Sequence, residues 1–230
     1  MADPLDPSGE SERLPPGAQD LTGHTLLGRY ALGEKIATGG MSVVYAGQDQ
    51  RLQRQVCVKV LFGLAYANEY QTIYEHFIQE AFALSRLQHP NTLRIYDFGY
   101  LDESAASKTP FFVSELITGG TLLQLVKRSG PLTPEAAVEV VEPIVHALEE
   151  AHSRGIIHRD IKPSNILFAE VGSQRIPKLA DFGIAKMRSG PGKAADTKGA
   201  SGPPISLYSA GWAAPEQMRK KPVGPPADVF

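Results

Sequence analysis

Asp160, Lys162 and Asn165, within the run HRDIKPSN, set a carboxylate, an ammonium and an amide inside six positions. That grouping suits phosphoryl transfer, a reaction that asks little covalent chemistry of a protein. It needs a group to orient the attacking hydroxyl, cations to offset the moving charge, and hard oxygen ligands for Mg²⁺. Asp160 can accept the hydroxyl proton, Lys162 can meet the γ-phosphate, and Asn165 can ligate metal through its amide oxygen. Asp181 follows Asp160 by 21 residues in the triplet DFG and offers a second oxygen ligand, with Phe182 to pack beneath it. AAPE at Ala213–Glu216 closes the loop-rich stretch that comes next. Upstream, Gly39-Gly40-Met41-Ser42 can cover phosphates with backbone N–H groups, although a plain structural turn would look the same. Lys59 is a cation between valines in VCVKV, and Glu80, on an apolar-striped helix, is its candidate partner.

The elements that must carry these residues are legible in outline. YALGEKIATGGMSVVYAGQD and QVCVKVL predict short strands rich in β-branched residues, with glycines punctuating the first pair. EYQTIYEHFIQEAFALSRLQ predicts a helix, because Ile73, Phe77, Ala81, Leu84 and Leu87 recur at three- and four-residue spacing. TLRIYDFGYL and PFFVSELI predict two further strands. TPEAAVEVVEPIVHALEEAHSRG predicts a long helix with Thr133 as N-cap, Pro134 at the first position and Gly155 as its stop. Pro143 inside it is expected to kink it. Strands first and helices after imply an α+β chain of two unlike lobes.

Composition narrows the class. The chain has 230 residues, 42% hydrophobic and 21% charged, enough apolar content for a core. A formal net charge of −2 gives no electrostatic case for nucleic acid or an anionic membrane. No apolar run approaches the roughly 18–20 residues that span a bilayer. A lone cysteine, Cys57, cannot close an internal disulfide or build a zinc site, so a reducing, cytoplasmic location is expected. Residues 1–29 hold four prolines, five acidic residues and no Phe, Tyr or Trp, and are expected to be a disordered leader.

From Tyr30 to its last residue the sequence resembles the eukaryotic-type protein kinases. IATGGMSVVY, RLQHPNTLRIYDFG and GIIHRDIKPSNIL are closest in style to the bacterial serine/threonine members. The resemblance implies a β-rich N-lobe over about 30–117 and a partial helical C-lobe over about 118–230. It implies ATP and Mg²⁺ as cofactors and Ser/Thr-bearing proteins as substrates, and it leaves room for dimerisation in autophosphorylation. Carried over by motif position, Lys59 contacts the α- and β-phosphates and pairs with Glu80. Asp160 is the base, Lys162 the phosphate contact, and Asn165 and Asp181 are the metal ligands. Ile36, Ala37, Thr38, Gly39, Gly40, Met41 and Ser42 form the phosphate loop. Val44, Cys57 and Leu167 sandwich adenine, and Glu115 and Ile117 offer backbone groups to its edge. Leu84, Ile95, His158 and Phe182 resemble the stacked apolar spine of the family. Thr197, Ser201 and Ser206 are activation-loop acceptors for phosphate, and Ser209 matches the substrate-loop threonine that bonds the catalytic Asp and Lys.

Some positions depart from the family. Ala37 and Ser42 replace the first and third glycines of the phosphate loop, Cys57 replaces a small alanine, and Tyr208 and Trp212 flank Ser209 unusually. The chain ends at ADVF, where the family's helical lobe continues. Asp228 matches the aspartate that opens the central helix of that lobe. The expectation is therefore an incomplete domain, in which Asp228 cannot brace the HRD turn and the long helix loses packing partners. The alternative to a kinase is a truncated or pseudokinase-like module that binds without catalysing. A small-molecule kinase is disfavoured by the APE-type segment.

Overall fold

The computed structural model describes residues 14–15, 18–39, 42–62, 74, 77–78, 81–82, 84–101, 109–182, 211–219 and 221–230. The chain divides into two compact units, residues 1–81 with 94–116, and residues 82–93 with 117–230.

The first unit is built on a six-stranded antiparallel sheet in the order β1-β2-β3-β4-β6-β5. Its strands are β1 (Thr25–Leu26), β2 (Tyr30–Thr38), β3 (Ser42–Asp49), β4 (Arg54–Leu61), β5 (Ile95–Tyr100) and β6 (Pro110–Glu115). Strand alternation sorts the side chains of β4. Val56, Val58 and Val60 are fully buried on one face with Tyr30, Val43, Tyr45, Phe111 and Val113. Cys57 and Lys59, one residue out of phase, must face the other side. On that second face the helical residues Phe77 and Ala81 pack with Leu61 and Phe112, the Phe77 and Phe112 rings 5.3 Å apart. The expected helical stripe is thus seen at these two positions, and Ile73 lies outside the described residues.

The leader needs correction. Residues 18–29 are not disordered: Leu21 and Leu26 are buried in the core of the first unit, and Leu14 and Ala18 pack against it. Leu21 N–H donates to the Tyr45 hydroxyl at 3.2 Å, and β1 adds to the edge of β2. Missing aromatics had suggested too little apolar surface, but four well-placed aliphatic side chains supply it.

The second unit carries α1 (Leu122–Ser129), α2 (Pro134–Ser153), the hairpin β7 (Ile166–Val171) and β8 (Gln174–Leu179), and α3 (Pro215–Met218). It also carries the 3-10 turns Pro163–Asn165 and Pro225–Asp228. Thr133 caps α2 through Ala136 N–H, Arg154 follows, and Gly155 adopts φ +74°, as the sequence implies. The helix runs continuously through Pro143. Its inner side buries Ile144, Ala147, Leu148 and Ala151, whereas Val138, Val141 and Val145 are exposed. Near its end, the Glu150 carboxylate accepts from Gln88 and His89 N–H and from Arg154, tying residues 88–89 to α2. A side chain at Gly119 would put Cβ 2.4 Å from the Phe168 carbonyl oxygen, so glycine alone fits where this segment pairs with β7. Among the described residues no helix is long and apolar enough to cross a membrane.

Candidate active site

Asp160, Lys162 and Asn165 meet in a short stretch of the second unit. Asp160 is buried, and two donors reach its Oδ2: Lys162 Nζ at 2.9 Å and Asn165 Nδ2 at 3.1 Å. Asn165 Nδ2 also donates to the Asp160 carbonyl at 2.9 Å. The 3-10 turn Pro163–Asn165 makes this reach possible, since Asn165 N–H closes it on the Lys162 carbonyl. Sequence spacing thus becomes a cluster in which the amide nitrogen is spent on Asp160 and the amide oxygen points the other way.

His158 fixes the next layer. Its Nε2–H donates to the Ala180 carbonyl at 3.0 Å, and its Nδ1 accepts from Asp160 N–H at 3.2 Å. Those two partners define one neutral tautomer. Burial pushes the imidazole pKa down, against the carboxylates of Asp228, Asp160 and Asp181. The ring lies 4.5 Å from that of Phe182, centroid to centroid, and Phe182 is fully buried while Asp181 beside it is exposed. HRD and DFG are therefore joined through His158 and Ala180.

The backbone here is strained. Arg159 has φ +67° and Asp181 φ +53°, a left-handed region that costs a non-glycine residue on the order of 1–3 kcal/mol. Asp228 holds the first of these. Its Oδ2 accepts from His158 N–H at 2.8 Å and its Oδ1 from Arg159 N–H at 2.6 Å. His152 Nε2 meets Oδ2 at 2.8 Å. The expectation that Asp228 could not brace this turn is overturned. The four-residue turn Pro225–Asp228 buries the carboxylate, and three donors hold it without a longer helix. On the other side, Gln217 Nε2 donates to the Arg159 carbonyl at 2.9 Å, while its Oε1 accepts from Ala214 N–H at 2.9 Å. Sequence reasoning missed His152 and Gln217. A signal existed for Gln217, three residues past Ala214 and following proline, where a long amide side chain caps a helix start.

In the first unit, strand register gathers the sequence-predicted residues on a face of its own sheet. Val44 lies opposite Lys59, Ala46 opposite Cys57, Cys57 opposite Ser114, and Lys59 opposite Phe112. Facing strand residues project to the same side, so Val44, Cys57, Lys59 and Ser114 share one surface. Lys59 Nζ stands 5.6 Å from the centre of the Phe112 ring. Gly39 N–H donates to the Ser42 carbonyl at 2.7 Å, closing the turn between β2 and β3, and Ala37 pairs with Val44. Ile36 and Thr38 lie at the same end of β2. Glu115 N–H is spent on the Arg94 carbonyl at 3.0 Å. Its own carbonyl accepts the Ser114 hydroxyl at 3.3 Å. Of the expected adenine contacts in the second unit, Leu167 on β7 bridges to Thr121, and Ile117 opens the segment that leads to Gly119. Gly40, Met41, Glu80, Thr197, Ser201, Ser206 and Ser209 lie outside the described residues.

The donor set of the second unit fits magnesium. Asn165 presents an amide oxygen turned away from Asp160, and Asp181 presents an exposed carboxylate, both hard oxygens. Among the described residues there is no group of three or more His, Cys, Asp or Glu able to hold a metal. The hard oxygens of Asn165 and Asp181 suit Mg²⁺, which keeps several waters and is bound through one or two carboxylates together with substrate phosphates.

With this geometry the chain belongs to the protein kinase domain family, whose pattern matches residues 30–230. The structure and its relatives agree on a two-lobed α+β kinase fold. The chain is 39% identical over 202 residues to the serine/threonine-protein kinase PknL of Mycobacterium tuberculosis, covering 88% of this chain and 46% of PknL. It is 36% identical over 208 residues to PknA of the same organism, covering 90% of this chain and 46% of PknA. The chain thus spans about half the length of these curated relatives. A crystal structure of a PknI kinase-domain double mutant from that organism aligns with TM-score 0.66 at 25% identity, over 92% of this chain and 72% of the other.

Proposed function

We propose that the protein transfers the γ-phosphoryl group of ATP to serine and threonine hydroxyls of protein substrates. The single observation that carries this is the Asp160 carboxylate, buried and held at one oxygen by both Lys162 and Asn165. A carboxylate so fixed can orient a substrate hydroxyl and take its proton as the oxygen attacks phosphorus. Lys162, already beside that carboxylate, supplies positive charge where the phosphoryl group passes. Bound Mg²⁺ would neutralise charge on the phosphate oxygens, and Asn165 and Asp181 are the residues to hold it. Lys59 serves the phosphates from the first unit, with Val44, Cys57 and Leu167 as the adenine-contacting residues. PknL and PknA are named as serine/threonine kinases, which favours hydroxyls of that class as acceptors. A lone cysteine and dependence on ATP fit a cytoplasmic domain.

Regulation belongs to the same proposal. Arg159 Nε is buried with no hydrogen-bond partner among the described residues, and burial draws the guanidinium pKa down against the pull of Asp228. A phosphate on Thr197, Ser201 or Ser206 would give that cation an anion.

The test uses the intact protein with labelled ATP and a Ser/Thr acceptor protein. Asp181→Ala should abolish transfer, and Asp160→Asn should cut turnover strongly while sparing ATP binding. Retained transfer by Asp181→Ala would sink the assignment. ATP binding without transfer in the unaltered protein would make it a binding module.

A further inference from the structure

We infer that Gln217 is a positioning residue for the transfer reaction, fixing the peptide that orients Asp160 and joining it to the segment at Ala214. The inference rests on the proposed function and adds a residue to it. Arg159 immediately precedes the base, and its left-handed φ of +67° sets the direction in which Asp160 leaves the backbone. A residue held in that conformation relaxes unless its neighbours over-determine it. Asp228 constrains only the N–H side of Arg159, through Oδ1 at 2.6 Å. The carbonyl side, which is the peptide shared with Asp160, is constrained by Gln217 Nε2 at 2.9 Å. The peptide plane between Arg159 and Asp160 is therefore held at its N–H by His158 Nδ1 and at its carbonyl by a side chain 58 residues downstream.

The other end of the same amide is also occupied. Gln217 Oε1 accepts from Ala214 N–H at 2.9 Å, so the carboxamide lies between the catalytic turn and the start of α3. Both bonds require the amide in one orientation, oxygen toward Ala214 and nitrogen toward Arg159. Glutamate keeps the acceptor for Ala214 but has no donor for the Arg159 carbonyl, and faces it with a second oxygen. Methionine keeps the length and loses both bonds. The two substitutions separate the link to the base from the link to α3.

Gln217→Glu and Gln217→Met are compared with the unaltered intact protein, with Asp181→Ala as the control for the reaction itself. Both Gln217 variants should lower kcat about tenfold. KM for ATP should stay within twofold, and the melting temperature of Gln217→Glu within a few degrees of the parent. An unchanged kcat in Gln217→Glu would overturn the inference, because the bond to Arg159 would then be dispensable. A loss of kcat matched by a raised KM for ATP and a lowered melting temperature would also overturn it, since that marks a general structural role. Transfer that survives Asp181→Ala would instead remove the proposed reaction, and this inference with it.

Discussion

His158 shows how a single buried side chain couples the turn that holds Asp160 to pH. Its Nδ1 can accept from Asp160 N–H only while unprotonated, so acid breaks a bond to the backbone of Asp160, the proposed base. Burial lowers its pKa in the folded protein, whereas the unfolded chain protonates near 6.5. Below that value the unfolded state binds the extra proton and the folded state resists it, so stability falls as the medium is acidified. The slope contributed by one such proton is at most about 1.4 kcal/mol per pH unit. His158→Phe keeps the ring against Phe182 and should flatten the decline in melting temperature between about pH 6.5 and 5. An identical acid limb in both proteins would count against it. At this scale the sequence was most readable where chemistry is crowded: Asp160, Lys162 and Asn165 meet as their spacing implied. The bonds from Gln217 to Arg159 and from His152 to Asp228 were harder, because they span 58 and 76 residues along the chain and no local pattern announces them.

Elements with a local cause were legible before the fold. Alternating valines in β4 announced both a strand and its two faces, and Thr133-Pro134 announced the start of α2. The N-terminal segment differs from expectation because its four aliphatic anchors, Leu14, Ala18, Leu21 and Leu26, are spread over thirteen positions among polar residues and prolines. Only tertiary contact gives them meaning. Leu21 is the sharpest test, being 2% exposed and seated by its N–H on Tyr45. Leu21→Ala should destabilise the first unit by about 2–4 kcal/mol in denaturant melts. A change below about 0.5 kcal/mol would mean that the segment does not pack in solution.

Over the whole molecule, charge and apolar surface make two demands. Arg29 grips the fully buried Asp49 with two bonds, 2.9 and 2.7 Å, and reaches Asp97, linking β3 and β5. The Arg29 guanidinium holds the Asp49 carboxyl well below the ordinary carboxylate range. That stabilisation is complete above the unfolded value near 3.9 and drains away as the pH falls below it. On α2, Val138, Val141 and Val145 form an exposed stripe at helical spacing. The 230-residue chain should therefore associate as its concentration rises, read as earlier elution in size exclusion, and Val138→Lys with Val141→Lys should reduce this. Elution independent of both concentration and substitution would refute the expectation. The two-lobed class was legible from strands preceding helices, yet the role of the first 29 residues was not, and it reaches beyond stability. β1 occupies the outer rim of β2, with Thr25 opposite Ala31 and Leu26 opposite Tyr30. Remove it and a row of open N–H and C=O groups becomes a template on which another chain can add a strand. Beyond that row, Glu34 and Lys35 are exposed charges that discourage such growth, so the two-residue strand shields the stretch that lacks them. A chain starting at residue 30 should then bind thioflavin T on prolonged incubation while the longer chain stays clear, making the leader a guard against polymerisation.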